Sequence, residues 1–341
     1  MTTRAFITGV LGFTLTADER DFLRTERPWG FILFKRNIDT PAQVTDLIIE
    51  LREIIGEPDA PVLIDQEGGR VQRFGPPHWP VYPPGAVFGT LYDIDRKLGL
   101  TAARLSARLM AADLIDLGVT VDCLPLADVP IAGADAVIGS RAYGTEPSKV
   151  AAIARAVTEG LQQGGVLPVL KHIPGHGRAT ADTHFRLPVV ETSKAELQRT
   201  DFAAFRPLAD LPMAMTAHVV FSALDPAQPA TTSATIIEQV IRGSIGFQGL
   251  LMSDDVSMNA LAGSITERTQ AIVSAGCDMV LHCNGNLDEM RAVAREAPVL
   301  SGRPLERAKR ALASRRVPQP FDRVAARAEL DELIGRAGVG A

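Results

Sequence analysis

The 341-residue sequence predicts a single (β/α)8 TIM-type barrel. Three observations predict it. Eight short apolar runs rich in β-branched residues recur along the chain, longer stretches of helical periodicity lie between them, and polar residues collect directly after several of the runs. In such a barrel every strand opens at its C-terminal end onto one face, so polar residues there share a site.

In chain order the expected strands are Ala5–Val10, Gly30–Phe34, Pro61–Ile64, Val119–Leu124, Val166–Leu170, Pro212–Ala217, Gly249–Met252 and Asp278–His282. The first two are joined by a shorter helical link near Asp18–Arg24. Periodic stretches then predict helices over Thr40–Ile55, Arg96–Leu117, Ser148–Gln163, Ser193–Leu208, Ala234–Ile241, Ile265–Ala275 and Leu287–Ala297. A doubly wound open sheet fits less well, because no G-x-G-x-x-G follows the first strand, where the nearby glycines are Gly9 and Gly12. The expected organisation is a barrel over residues 1–300 and an Arg- and Ala-rich helical extension over 301–341, packed on the barrel or fraying from it.

Composition narrows the function. With 46% hydrophobic and 22% charged residues the chain can bury a large core, which excludes disordered and fibrous classes. A net charge of −5 without a dense basic stripe supplies no electrostatic reason to bind nucleic acid. Cys123, Cys277 and Cys283 are odd in number and lack C-x-x-C spacing, so free core thiols in a reducing compartment are expected. The run Ala5–Phe13 resembles a signal peptide, but Gly9 and Gly12 break it and it reads better as a strand. No apolar span approaches the ~20 residues of a membrane helix. A cytoplasmic monomer without membrane contact is therefore expected.

The densest chemistry is Lys171-His172-Ile173-Pro174-Gly175-His176-Gly177, followed by Asp182-Thr183-His184, directly after the fifth strand. The third strand ends in Asp65, followed by Gln66-Glu67-Gly68-Gly69-Arg70-Val71-Gln72-Arg73. The fourth leads to Arg141, and the seventh ends Ser253-Asp254-Asp255. Strand alternation keeps Asp254 and Asp255 from both facing the axis, so one of them can be a catalytic carboxylate and the other a helix N-cap. Asp182, two residues before His184, can accept from one imidazole nitrogen and leave the other to exchange a proton, an acid/base dyad. His172 and His176 are four apart, a metal-ligand spacing on a helix. Pro174, Gly175 and Gly177 forbid a helix there, and no bound metal is expected. No G-K-[ST] follows the glycines, and no cofactor is expected.

At these residues the sequence resembles the family 3 glycoside hydrolases, and more narrowly their single-domain bacterial β-N-acetylglucosaminidases of the peptidoglycan-recycling type. The resemblance runs from about Ile7 to about Ala297 and rests on Asp65–Arg73, Lys171–Gly177 with Asp182–His184, and Ser253–Met258. Ile173 stands where Phe is commoner in the family, and Thr183 where Ser is. The resemblance implies Asp254 as nucleophile, His184 as proton donor and acceptor tuned by Asp182, and Asp65, Arg73, Arg141, Lys171 and His172 as the groups holding the terminal sugar. It further implies a retaining double displacement on terminal β-linked N-acetylglucosamine, as in GlcNAc-anhydroMurNAc muropeptides, with a small carbohydrate as partner. A family 3 β-glucosidase-like enzyme acting on other β-glycosides is the alternative, and a metal-dependent barrel hydrolase a more distant one. The segment 172–188, long for a βα loop, is expected to act as a lid that brings His184 to Asp254.

Overall fold

The computed structural model describes residues 3–179, 187–336 and 338. Among them eight parallel strands close a barrel: β1 Arg4–Thr8, β2 Pro28–Leu33, β3 Val62–Ile64, β4 Val121–Asp122, β5 Leu167–Ile173, β6 Met213–Thr216, β7 Leu250–Asp255 and β8 Met279–His282. Each strand pairs with its neighbours in sequence, and β1 closes on β8 with Ile7 opposite Leu281. All eight predicted runs supply a barrel strand.

Alternation fills the barrel. Ile7, Leu63, Val121, Val169, Met213, Leu250, Met252, Met279 and Leu281 point into one interior cluster, while Phe6, Val62, Ile64, Leu170, Ala214, Leu251 and Val280 belong to the larger cluster under the helices. The interior residues continue the period of two into the mouth. Leu63 is followed by Asp65, Val169 by Lys171, and Leu250 and Met252 by Asp254, so the polar layer of the site is the top layer of the core.

The outer layer is built by α1 Ala17–Glu26, α2 Pro41–Ile55, α3 Gly85–Ile94, α4 Arg96–Ile115, α5 Pro147–Gln163, α6 Lys194–Arg199, α7 Asp201–Phe205, α8 Ile265–Ala275 and α9 Leu287–Glu296. A π-helical stretch, Ile236–Ile245, precedes α8. Local chemistry sets the ends: Thr16 and Glu19 form a capping box on α1, and Thr40 caps α2 just before Pro41.

Two departures from the predicted helices bear on the site. Helix α3 was not expected, since Gly85 and Gly89 weaken a helical pattern. Those glycines let α3 lie directly on the backbone of Arg141 and Tyr143, whose carbonyl oxygens a Cβ at either position would strike. The predicted helix Ser193–Leu208 is broken at Thr200, whose hydroxyl bonds the Glu196 carbonyl and Asp201. Arg178, from the segment after β5, docks at this break, with its Nε 2.7 Å from Asp201 Oδ2. A side chain arriving from elsewhere in the chain thus decides the interruption.

Beyond residue 300, α10 (Gly302–Ala313) sends Ala308 and Ala311 into the interior cluster, closing the barrel end opposite the mouth, and Arg307 bonds the buried Asp278 at 2.9 Å. Helix α11 (Arg323–Arg336) buries Ala326, Leu330 and Leu333 and contacts α3 and α4. None of the described helices is long and apolar enough to cross a membrane.

Candidate active site

A cavity of about 330 Å³ opens at the C-terminal ends of the strands and is lined by Asp65, Glu67, Arg73, Arg141, Lys171, His172, His176 and Asp254. The structure therefore brings together six of the eight residues singled out from sequence. Asp182 and His184 lie outside the described residues, and with them the lid expectation.

The floor is an ion network. Lys171, at the end of β5 and 2% exposed, places its ammonium 2.9 Å from Asp65 Oδ1 and 2.6 Å from Glu67 Oε1. Arg73 reaches Asp65 Oδ2 at 2.9 Å, and Arg141 grips Glu67 with Nε at 2.8 Å and Nη2 at 2.7 Å. Burial alone would raise the Asp65 carboxyl, but Lys171 and Arg73 outweigh it and hold the group well below the ordinary carboxylate range. Glu67 behaves alike: Arg141 and Lys171 overcome burial and bring it to about 2. Lys171 is pushed upward by the same two carboxylates despite its burial.

Local folding makes this possible. After β3 the chain turns into a hairpin of Gln66–Gly68 against Val71–Gln72, with Gly68 at φ +91° packed on the Pro83 carbonyl. Gln66 is tied down at both ends. Its backbone N–H donates to the buried Asp122 at 3.0 Å, while its side chain accepts from the backbone N–H groups of Arg73 and Phe74. Arg73 is thereby held under the carboxylate it pairs with.

His172 is oriented from behind. Asp128, fully buried, accepts from His172 Nδ1 at 2.7 Å and from the His176 backbone N–H at 2.7 Å. Burial would raise the Asp128 carboxyl, and His172 reverses this and lowers it. An ionised carboxylate can only accept, so His172 carries a proton on Nδ1, leaving Nε2 for a ligand.

Asp254 and Asp255 both line the cavity, and they differ in what they bond. Asp255 is spent on the turn that follows, accepting from the Ser257 N–H at 3.0 Å and the Ser257 hydroxyl at 2.7 Å. Asp254 lines the cavity, takes the Asp255 N–H on Oδ1 at 2.8 Å, and has no hydrogen bond to Oδ2 among the described residues. Burial would raise it, but His218, His172 and Lys171 lower it on balance, so it is a carboxylate at neutral pH. His218, fully buried after β6, must donate Nε2–H to the Asp255 carbonyl at 2.9 Å, since a carbonyl only accepts.

Valence counting defines what the site can hold. Lys171 donates to Asp65 and forms an ion pair with Glu67. Asp65 keeps lone pairs on both oxygens, and Arg141 commits Nε, Nη2 and a bond from Nη1 to the Val137 carbonyl. An acceptor beside fixed donors suits a compact ligand with several adjacent hydroxyls, and the Asp254 carboxylate lines the same pocket. No group of histidines, cysteines and carboxylates among the described residues is arranged to hold a metal ion.

Sequence reasoning missed Glu67, Asp128, His176 and His218 as site residues. Glu67 carried a readable signal, since it stands two residues from Asp65 within a polar run. Asp128 carried none, because its partner is 44 residues away.

The His176 ring lies 5.6 Å from that of His172, and its Nδ1 is buried without a partner among the described residues. Burial and His172 lower its pKa from 6.5 to about 4. The unfolded chain takes up this proton near pH 6.5 and the folded one only near 4, so stability falls as pH drops through that window. Buried Asp122, raised by its burial, acts in the opposite sense, so variant and parent must be compared. The stability of a His176→Asn variant should depend less on pH between 6.5 and 4, by up to about 1.4 kcal/mol per pH unit at most. Denaturant unfolding at several pH values measures this, and parallel curves for the two proteins would refute it.

A closed barrel whose mouth carries an ionised carboxylate and an ion network suited to adjacent hydroxyls defines an enzyme that processes carbohydrate. Comparison with known proteins gives the family. The Glycosyl hydrolase family 3 N terminal domain matches residues 9–317. Beta-hexosaminidases of Bordetella avium (38% identity over 81% of this chain and 79% of the relative) and Alkalilimnicola ehrlichii (39%, 85% and 83%) are similar in sequence. The crystal structure of NagZ from Neisseria gonorrhoeae in complex with N-trifluoroacetyl-D-glucosamine is similar in fold, with TM-score 0.86 and 32% identity over 98% of this chain and 99% of that one. The chain belongs to glycosyl hydrolase family 3 and is a glycoside hydrolase.

Proposed function

We propose that the chain is a retaining exo-β-N-acetylglucosaminidase that removes terminal non-reducing β-linked N-acetylglucosamine, acting on GlcNAc-anhydroMurNAc muropeptides during cell-wall recycling in the cytoplasm. One observation carries the reading: Asp254, ionised and with one oxygen uncommitted among the described residues, faces the same pocket as Asp65, Lys171 and Arg141. The names of the relatives supply the N-acetylglucosamine, since hexosaminidases and a NagZ bound to an N-acylglucosamine are its neighbours.

In this reading Asp65, Arg73, Arg141, Lys171 and His172 hold the sugar, with Asp65 accepting from hydroxyls and the cations and His172 Nε2 completing its pose. Asp254 attacks the anomeric carbon while His184, oriented by Asp182, gives its proton to the departing oxygen. The resulting glycosyl ester is then hydrolysed by a water that His184 deprotonates, and the sugar leaves with its starting configuration. A histidine that is neutral when acting as base avoids the repulsion a second carboxylate would meet from an anionic leaving group.

Hydrolysis of a chromogenic N-acetyl-β-glucosaminide, followed by NMR of the product anomer, tests the proposal. Retained configuration is expected, with a rate indifferent to chelator. His184→Ala should lower kcat by about 100-fold or more. Inverted product, loss of activity with chelator, or an unimpaired His184→Ala enzyme would each overturn it.

A further inference from the structure

We infer that Glu67 is a positioning residue of this site, aiming Arg141 and Lys171 at the sugar without itself binding it. The inference rests on the reading above, in which Arg141 and Lys171 hold the sugar. Glu67 is more enclosed than its neighbour in the network: its side chain is 4% exposed, against 16% for Asp65. Its oxygens are already engaged by protein donors, with Oε1 receiving both Arg141 Nη2 and Lys171 Nζ, and Oε2 receiving Arg141 Nε. Asp65 by contrast meets one cation on each oxygen.

The arrangement joins three segments far apart in the chain. Arg141 ends a 3-10 turn, Gly139–Arg141, in the long connection after β4. Among the described residues its guanidinium has one other anchor, the Val137 carbonyl, which Arg70 of the hairpin after β3 also bonds. Glu67 is the hairpin side chain that bonds this guanidinium directly, and through Lys171 it links it to β5. Two opposed cations on one carboxylate also leave for a ligand those N–H groups of Lys171 and Arg141 that point away from Glu67. Without the carboxylate, Arg141 and Lys171 would repel each other across the pocket, and both would turn from their present poses. Glu67, ionised far below neutral pH, can act as neither proton donor nor titrating switch.

The test compares the parent with Glu67→Gln, Arg141→Ala and the double variant, measuring kcat and KM on a chromogenic N-acetyl-β-glucosaminide, together with thermal unfolding. Glu67→Gln keeps the shape but sets an amide against the cations. It should raise KM about 10- to 100-fold, the scale of a lost charge-assisted hydrogen bond, with a smaller change in kcat. Arg141→Ala should raise KM in the same way. The double variant should lie within about 3-fold of the worse single variant, because the two changes remove one shared interaction.

A purely structural Glu67 would lower the unfolding temperature and leave KM of the folded enzyme where it was, which would overturn the inference. Multiplying effects in the double variant would overturn it too. If Glu67→Gln does not fold, Glu67→Asp, which keeps the charge but withdraws it by one methylene, carries the same KM test. Should Arg141→Ala leave KM unmoved, the sugar-holding reading fails and this inference with it. If Arg141→Ala raises KM while the Glu67 variant does not, only the inference fails.

Discussion

Asp254→Ala is expected to fold as the parent does and to lose hydrolysis by about 1,000-fold or more in kcat, the range seen when an attacking group is deleted. The fold should survive because this side chain's recorded hydrogen bond is a local one, from the Asp255 N–H. The β7 segment beneath it is held independently: Ser253 accepts from the Leu281 N–H at 3.0 Å, and Asp255 caps the following turn. The chemistry should not survive, since no other ionised carboxylate among the described pocket residues has an oxygen so free of partners. Azide supplied to the variant should restore turnover and give a glycosyl azide of inverted anomeric configuration, because the small anion enters from the face the carboxylate has left. An Asp254→Ala enzyme within about 10-fold of the parent would remove this residue from the mechanism.

Lys171→Met is expected to lose both activity and about 3–5 kcal/mol of stability, the cost of breaking a buried ion pair from one side. Lys171 is 2% exposed, and its removal leaves Asp65 and Glu67 facing each other with their shared cation gone. Arg73 and Arg141 still neutralise one carboxylate each, which keeps the loss below that of two bare charges. The pH dependence identifies the cause. In the parent, Asp65 and Glu67 have folded pKa values below their ordinary 3.8 and 4.5, so they contribute stability above that range and lose it as the pH falls. The variant lacks the share of that contribution that Lys171 supplies, so the gap between the two proteins should narrow below about pH 4. Unfolding in urea at neutral and acid pH measures both quantities. A neutral-pH difference under about 1 kcal/mol would show that the network is dispensable.

The fold was legible because its signals are local. A strand buried on both faces reads as a short apolar run, and the recurrence of such runs with helical stretches between them reads as βα repetition. Where the signal failed, a distant partner had overruled local preference. Gly85 and Gly89 argue against a helix until the backbone of residues 141 and 143 is laid beside them. The long helix expected to 208 is cut at Thr200 where Arg178 docks.

The site divides in the same way. Asp65, Lys171 and Asp254 could be named from the sequence because they extend the strands' own alternation by one more inward position: Leu63 to Asp65, Val169 to Lys171, Met252 to Asp254. A period of two is a property of the extended backbone, and any reader of the chain can count it. Which carboxylate pairs with which cation was decided only in three dimensions. Glu67 meets Arg141 across 74 residues and Asp128 meets His172 across 44, contacts set by barrel closure and by the packing of the connections above it. Residue order carries the local rule that turns a side chain inward, but the distance between two inward side chains exists only once the sheet has closed.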